Sequence, residues 1–582
     1  MRTNASLLFV VTVACHFSFS AAAATPSLIF HNAKIVTVNE TFSIHRAMAC
    51  EGERIVQVGS DADVLRLRGE NTEVVDLRGR MVIPGLMDSH THPLGAAMVE
   101  FDHPIPTMES IEDVLSYIRS RADAVPAGDW IVVQQVFITR LREQRYPTRA
   151  ELDEAAPRHP VLFRTGPDAS LNSHALRLSG IDRDFKVPDG GGGFAEKDSA
   201  TGEPTGILRN CTRFVKVKST GKPDSDEDRD ARLKLLFADY NSVGITSICD
   251  RDASLEAIER YRHLREEGKL TVRVSCNQSV GNVGEPWKIE AQIRSVARNP
   301  LHTEHDDWLR IIGIKMYLDG GMLTGSAYLR EPWGVSTIYS ITDPQYRGVL
   351  FIPQERLSGF VQASVESGLQ FTAHSVGDGA VHLLLDVYDE LSRAGLRVRE
   401  SRSSITHSNF MSKQAVEQAA RLGVMLDVQP VWLYSDGHTL AKHFGMERLR
   451  YFQPLHSLFA AGVNAGGGSD HMQKIGSMRS VNLYNPFVGI ATAVTRRPRN
   501  YDSPIHPEEA LTREEAIRFY TINNARLLHK EARTGSLEVG KLADIVVLGT
   551  DLLTCPDEAI VHTKVLRTYV GGKLVYEGAQ PE

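Results

Sequence analysis

Hydrophobic and polar positions follow two regimes along this chain, and the change of regime divides it. Across 28–30, 34–38, 54–58 and 73–77 the apolar runs are brief and separated by turn residues. Runs of that length read as β-strands. The far C-terminus has the same texture, with runs at 543–548 and 565–570, a Gly571-Gly572 turn and a run at 573–576. Chain ends tend to lie close together. The two stretches, 25–81 and 531–582, therefore predict one small β-sandwich assembled from both ends.

Between them strands alternate with amphipathic helical patterns such as 378–394 and 413–422, which predicts an α/β fold with a parallel sheet or barrel. Strand candidates fall at 82–93, 244–250, 271–276, 310–317, 369–374, 404–407, 423–428 and 462–470. Eight is the number a TIM-type (β/α)8 barrel needs. The barrel then occupies 82–97 and 240–530, and 98–239 reads as an inserted subdomain. That insertion holds a helix at 111–122, strands near Ile131 and Val161, and the loop Asp189-Gly190-Gly191-Gly192-Gly193. No Lys-Ser/Thr follows the glycines, so they are not a phosphate loop.

Composition adds a leader and removes some partners. Arg2, an apolar run over 7–15 and the alanines at 21–24 predict a secretory signal peptide over 1–24, cleaved near Ala23 or Ala24. The mature protein is expected to be periplasmic or secreted. No later segment is apolar enough to span a bilayer. A net charge of -7 without a basic stripe argues against nucleic acid. A small molecule is the expected partner, and a homodimer the default assembly. Once Cys15 leaves with the leader, the five remaining cysteines show no CxxC spacing, so neither a disulfide framework nor a thiolate metal site is expected. Glycosylation sequons occur at Asn39, Asn210 and Asn277.

The chemistry begins at Val82-Ile83-Pro84-Gly85-Leu86-Met87-Asp88-Ser89-His90-Thr91-His92-Pro93. An apolar strand ends here in His-x-His, and strand alternation puts His90 and His92 on one face. Two imidazoles so placed are half of a metal site. Polar residues recur at the ends of later strands, as His374, His407 and Asp470. Strand C-termini of such a barrel converge on one face, where active sites sit. These residues therefore predict a site for a divalent ion, with zinc the default. Lys315 sits inside the fourth strand between Ile314 and Met316. An ammonium buried there is costly. Carboxylation would make it an anionic oxygen ligand able to bridge two metals, and pairing with Asp319 or a substrate carboxylate is the alternative.

Further motifs accompany this set. They are Gly202-Glu203-Pro204-Thr205-Gly206-Ile207-Leu208, Ile314-Lys315-Met316-Tyr317-Leu318-Asp319-Gly320-Gly321, Ala373-His374-Ser375-Val376-Gly377-Asp378-Gly379-Ala380-Val381, Thr406-His407-Ser408, Gly468-Ser469-Asp470 and Gly535-Ser536-Leu537-Glu538-Val539-Gly540-Lys541-Leu542-Ala543-Asp544. Together they resemble the amidohydrolase superfamily, and within it amidohydrolase family 3, over about 27–576. The resemblance implies a barrel with one or two divalent ions, His90, His92, His374 and His407 as ligands, and Lys315 as a carboxylated bridge. Asp470 is then both ligand and catalytic base. The implied activity is hydrolysis of carbon–nitrogen bonds other than peptide bonds, in an amide or an N-acyl or N-formyl amine. Metal-bound hydroxide is the implied nucleophile. Deamination of a cyclic or heteroaromatic substrate, and a non-catalytic regulatory or binding role, are the alternatives. One departure stands out: the run Gly166-Pro167-Asp168-Ala169-Ser170 lacks the Asp-Gly-His that relatives carry before Asn172-Ser173-His174-Ala175-Leu176. Substrate contacts are expected to differ accordingly, with Tyr317, Arg330, Trp333 and Trp432 as candidate lining residues.

Overall fold

Eight parallel strands ring the centre of the molecule: β1 (Leu86–Thr91), β2 (Ile245–Ala253), β3 (Arg273–Ser279), β4 (Leu309–Tyr317), β5 (Gln370–Ser375), β6 (Ser404–His407), β7 (Met425–Val428) and β8 (Ala465–Gly467). This computed structural model describes residues 25–218, 221–304 and 306–579, so the expected leader lies outside the described residues. The ring closes between β8 and β1, where the Asp470 amide donates to the His90 carbonyl at 2.8 Å and Thr91 bridges His471 in parallel. The fold is the (β/α)8 barrel that the alternation of patterns predicts.

Alternation along each strand decides what the barrel holds. Ile248, Val274, Ile311, Phe371 and Ile405 turn outward into one apolar core with Leu264, Ile293 and Phe360 of the surrounding helices. Each such side chain withdrawn from water contributes about 1.5–3 kcal/mol. The inward positions carry polar residues instead, among them Arg251, Asn277, Gln370 and Asp427. Asn277 is enclosed there against Arg251 and Gln370, so the folded chain offers no glycan acceptor at that sequon. The cysteines of the described residues are all free.

The predicted strand at 82–93 is two elements in two sheets. Met81–Pro84 joins a six-stranded sheet, and the chain turns at Gly85 before entering the barrel. A Cβ at Gly85 would collide with the Thr246 side chain, so only glycine allows the turn this close to β2. In that outer sheet Val82 and Ile83 pair antiparallel with Val547 and Val546 of Ile545–Leu548, near the other end of the chain. A four-stranded sheet built around Leu28–His31 and Ala47–Glu51 lies against it. Phe30, Met48, Val82, Ile545 and Tyr569 form the core between the two sheets. The buried Arg273–Asp544 pair, with two bonds of 2.8 and 2.9 Å, ties this sandwich to β3.

A five-stranded sheet with Val161–Thr165 and Asp168–Leu171 at its centre forms a further layer. Arg209, fully buried, donates from it to the carbonyls of Thr324 and Tyr339, and the Ser326 hydroxyl donates to Asp168 at 2.6 Å. The segment after β4 is thereby clamped to the inserted sheet. Asp168, from the run without a histidine, serves as that clamp. No helix among the described residues is long and apolar enough to cross a membrane.

Candidate metal centre

His90 Nε2 lies 3.2 Å from His92 Nε2, and Asp470 Oδ1 lies 3.3 and 3.1 Å from the two. Ligands held 2.0–2.1 Å from a tetrahedral ion are separated by edges of about 3.3 Å. The triangle therefore has the dimensions of one face of such a polyhedron. A cation among these three atoms would draw their lone pairs together. His407 stacks on His90 with ring centroids 4.8 Å apart, and His374 meets His407 edge-on at 4.5 Å. The four histidines and Asp470 thus come from β1, β5, β6 and the loop after β8 to one rim.

Local structure holds these groups in place. Asp88 accepts from the His90 and Ser469 amides, each at 3.0 Å, and from the Ser469 hydroxyl at 2.5 Å, stapling β1 to the segment after β8. Gly468 lies so close to β1 that a Cβ there would sit 2.8 Å from Ser89 Oγ. His407 and Asp470 carry φ of 76° and 56°. Left-handed backbone at non-glycine residues is strained, and its persistence here requires surroundings that over-determine it.

The other ring nitrogens are engaged. His90 Nδ1–H donates to Asp427 Oδ2 and His407 Nδ1–H to Gln429 Oε1, both at 2.7 Å. Each partner leaves Nε2 as the free lone pair, which is how outer hydrogen bonds set a ligand tautomer. Burial, then the Lys315 charge, holds His90 well below the usual histidine range and His374 near about 3. Burial and the neighbouring His374 lower His407 likewise. These three are neutral, as ligands must be. Burial also disfavours charge on His92, yet the bond to Asp470 outweighs it and raises that ring. Burial raises Asp470, opposed by the same bond. The donor set fits a divalent cation.

Lys315 is buried, and its ammonium lies 4.6 Å from the centre of the Tyr317 ring. Burial lowers it, against the pull of Asp252, Asp470 and Asp427. Asp319 is no partner for it, since that carboxylate accepts three backbone N–H bonds of 2.9 Å from Tyr328, Val376 and Gly377. Tyr317 packs against His374 at 5.3 Å and donates its hydroxyl to Asp252 at 2.9 Å. Trp432 stacks on His407 at 4.8 Å, with an indole N–H that has no protein partner among the described residues. Trp333 and Arg330 make other contacts: the indole donates to the Ala327 carbonyl, and the guanidinium reaches His382 on Asp378–Arg393. A cleft of about 410 Å³ opens beside His92, lined by Met98, Asp250, Asp252 and Glu256.

Sequence reasoning missed Asp427, Gln429 and Asp252. Asp427 alternates with Leu426 and Val428 in an otherwise apolar run, which was a signal for an inward polar residue. Asp252 lies beyond the expected end of its strand, which runs on to Ala253.

Known proteins resemble this chain along most of its length. N-substituted formamide deformylase of Arthrobacter pascens is 28% identical over 564 residues, covering 94% of this chain and 98% of that protein. An uncharacterized metal-dependent hydrolase from Pyrococcus horikoshii OT3 shares the fold with a TM-score of 0.64 at 21% identity, covering 91% of this chain and 99% of its own. Atrazine chlorohydrolase TrzN from Arthrobacter aurescens TC1, solved with zinc, gives 0.51 at 15% identity, covering 94% and 95%. The model of the amidohydrolase family matches residues 73–576, nearly all of the described chain, and the protein belongs to that family.

Proposed function

We propose that this protein is a metal-dependent hydrolase of carbon–nitrogen bonds other than peptide bonds, acting on an amide or an N-acyl or N-formyl amine. The observation that carries the reading is the triangle of His90 Nε2, His92 Nε2 and Asp470 Oδ1, with edges of 3.1–3.3 Å. His90, His92, His374, His407 and Asp470 would hold one or two divalent ions, zinc first among them, and Lys315 would join as a carboxylated ligand. Such an ion supplies Lewis acidity toward a carbonyl and lowers the pKa of water from 15.7 toward about 7. The formamide deformylase likeness across 94% of the chain supports the choice of bond.

The protein's own groups do the rest. Asp470 Oδ1 takes the proton of the attacking water and returns it to the departing nitrogen, and burial, which raises its carboxyl, suits it to that exchange. His92 lies 3.1 Å from the same oxygen and would share the ion with it. The Trp432 indole N–H is aimed from the ring that backs His407 and is available to a substrate oxygen. Tyr317 and Asp252 form a fixed polar wall, since each is bonded to the other.

The test is a panel of N-formyl and N-acyl amines with zinc-loaded protein, before and after chelation. Release of amine that stops on chelation and returns with metal is expected. No metal-dependent turnover on any amide, carbamate, cyclic urea or lactone would overturn the reading. Residues 1–24 are proposed to direct export, and N-terminal sequencing of the secreted protein should begin just after Ala23 or Ala24.

A further inference from the structure

The floor of the barrel, at the opposite end from the metal centre, gathers cations that neither the centre nor the sandwich accounts for. Asn277 faces inward, where it meets Arg251 and Gln370. Ser275 and Arg273 precede it by two and four residues on β3 and so face inward as well. Ser247 of β2 is paired with Arg273, and Ser275 with Arg310 of β4. Two serines and two arginines therefore share the lowest levels of the barrel interior. Lys530, just after the helix Ile522–Leu527, is buried with 4% of its surface exposed. Its electrostatic neighbours are Arg273, Arg310, Asp544 and Asp307, and its charge reaches the thiols of Cys249 and Cys276.

The carboxylates that face Lys530, Asp544 and Asp307, are already committed, as is Glu531 beside Arg310, which takes Arg402; Glu53 faces Arg273. Asp544 takes both bonds of Arg273 together with the Gly571 amide, and Asp307 takes the Arg533 guanidinium. What remains is a set of donors. Lys530 Nζ, Arg310 Nε, Ser247 Oγ and Ser275 Oγ are each closed to solvent and have no protein partner among the described residues. An unpaired cation so deep is costly. Burial first, and then Arg273 and Arg310, press Lys530 down to about 7. Interiors of such barrels are mostly filled by bulky branched side chains. Here Ser247 and Ser275 present hydroxyl groups in place of such side chains.

We infer that Lys530, Arg310, Ser247 and Ser275 form a buried site for a small monovalent inorganic anion of the halide class. The ligand set is made of N–H and O–H donors. Four single donors closed to solvent suit one spherical ion better than a polyatomic one. The bound anion keeps Lys530 protonated and balances the excess positive charge beside the Arg273–Asp544 pair, so it fastens the barrel floor to the sandwich. The site is independent of the hydrolytic reading.

Thermal unfolding of the full-length, metal-loaded protein tests this, with chloride replacing gluconate at constant ionic strength. A saturable rise in Tm of a few degrees by about 100 mM chloride is expected, since a ligand that binds only the folded state stabilises it. Lys530→Met should abolish the response. Ser275→Val, which removes one donor and leaves the lysine in place, should abolish it too, which covers failure of the first variant to fold. Crystals soaked in bromide should show an anomalous peak within hydrogen-bond distance of Lys530 Nζ. Equal Tm in the two salts, a chloride response that survives in the folded variants, or no peak in the wild-type protein would each overturn the site.

Discussion

Asp427 and His90 are joined by a 2.7 Å hydrogen bond in which both side chains are closed to solvent. The carboxylate also accepts from the Ser89 hydroxyl at 2.5 Å and lies 3.6 Å from Arg251. It therefore fixes the imidazole plane while Arg251 offsets its charge. Asp427→Asn keeps the shape but can present its N–H side to His90 Nδ1, which frees the wrong tautomer. Metal affinity should fall by about 10–100-fold, as for other outer-shell ligands. Competition against a chromophoric chelator measures it, and an unchanged affinity would show that the bond does not orient the ring.

Asp470→Asn separates proton transfer from metal holding. The four histidines remain, so metal content should persist at working concentrations. Loss of a general base slows turnover by about 10²–10⁴-fold. Metal analysis and kcat/KM on the same preparation distinguish the two effects.

Trp432→Phe retains a ring over His407 and deletes only the N–H. One lost substrate hydrogen bond is worth about 1 kcal/mol, or roughly fivefold in kcat/KM. Unchanged kinetics on a carbonyl substrate would mean that the indole packs and does not bind.

Arg273→Ala leaves Asp544 buried and uncompensated. Breaking a pair of this kind costs about 3–5 kcal/mol. Urea unfolding should show the loss, and the Arg273→Ala, Asp544→Ala double variant should recover part of it.

Stability should also depend on pH through Lys530. Its ammonium is pressed from 10.5 to about 7 in the folded protein. Between those values the unfolded chain binds a proton that the folded chain does not. Stability then rises with pH across that window and levels off above it. In chloride-free buffer the wild-type protein should gain stability relative to Lys530→Met from pH 7 toward pH 10. Urea midpoints at each pH measure the difference.

The barrel was legible because its strands are brief apolar runs whose polar exceptions fall at their ends, as His374 and His407 do. The sandwich was legible in composition but not at its seam. Pro84-Gly85 marks a bend between two strand-like runs, but which sheet each run joins is decided by pairing with Val546 and Val547 from far along the chain. Asp427 and Gln429 stayed hidden for a related reason. Each looks like a lone polar residue on or beside β7, and each becomes meaningful only when ring closure brings it to His90 or His407. Asp168, from the run that departs from the relatives' pattern, is held by Ser326 in a clamp that no local feature of the sequence announces.

The pairing of Met81–Pro84 with Ile545–Leu548 has a bearing on biosynthesis. Ribosomes deliver the first of these segments hundreds of codons before the second. Until the last stretch emerges, Met81–Pro84 lacks its antiparallel partner and the sandwich stays open. Completion of the sandwich therefore waits for the end of translation, and nonsense truncations late in the message should yield protein that does not fold.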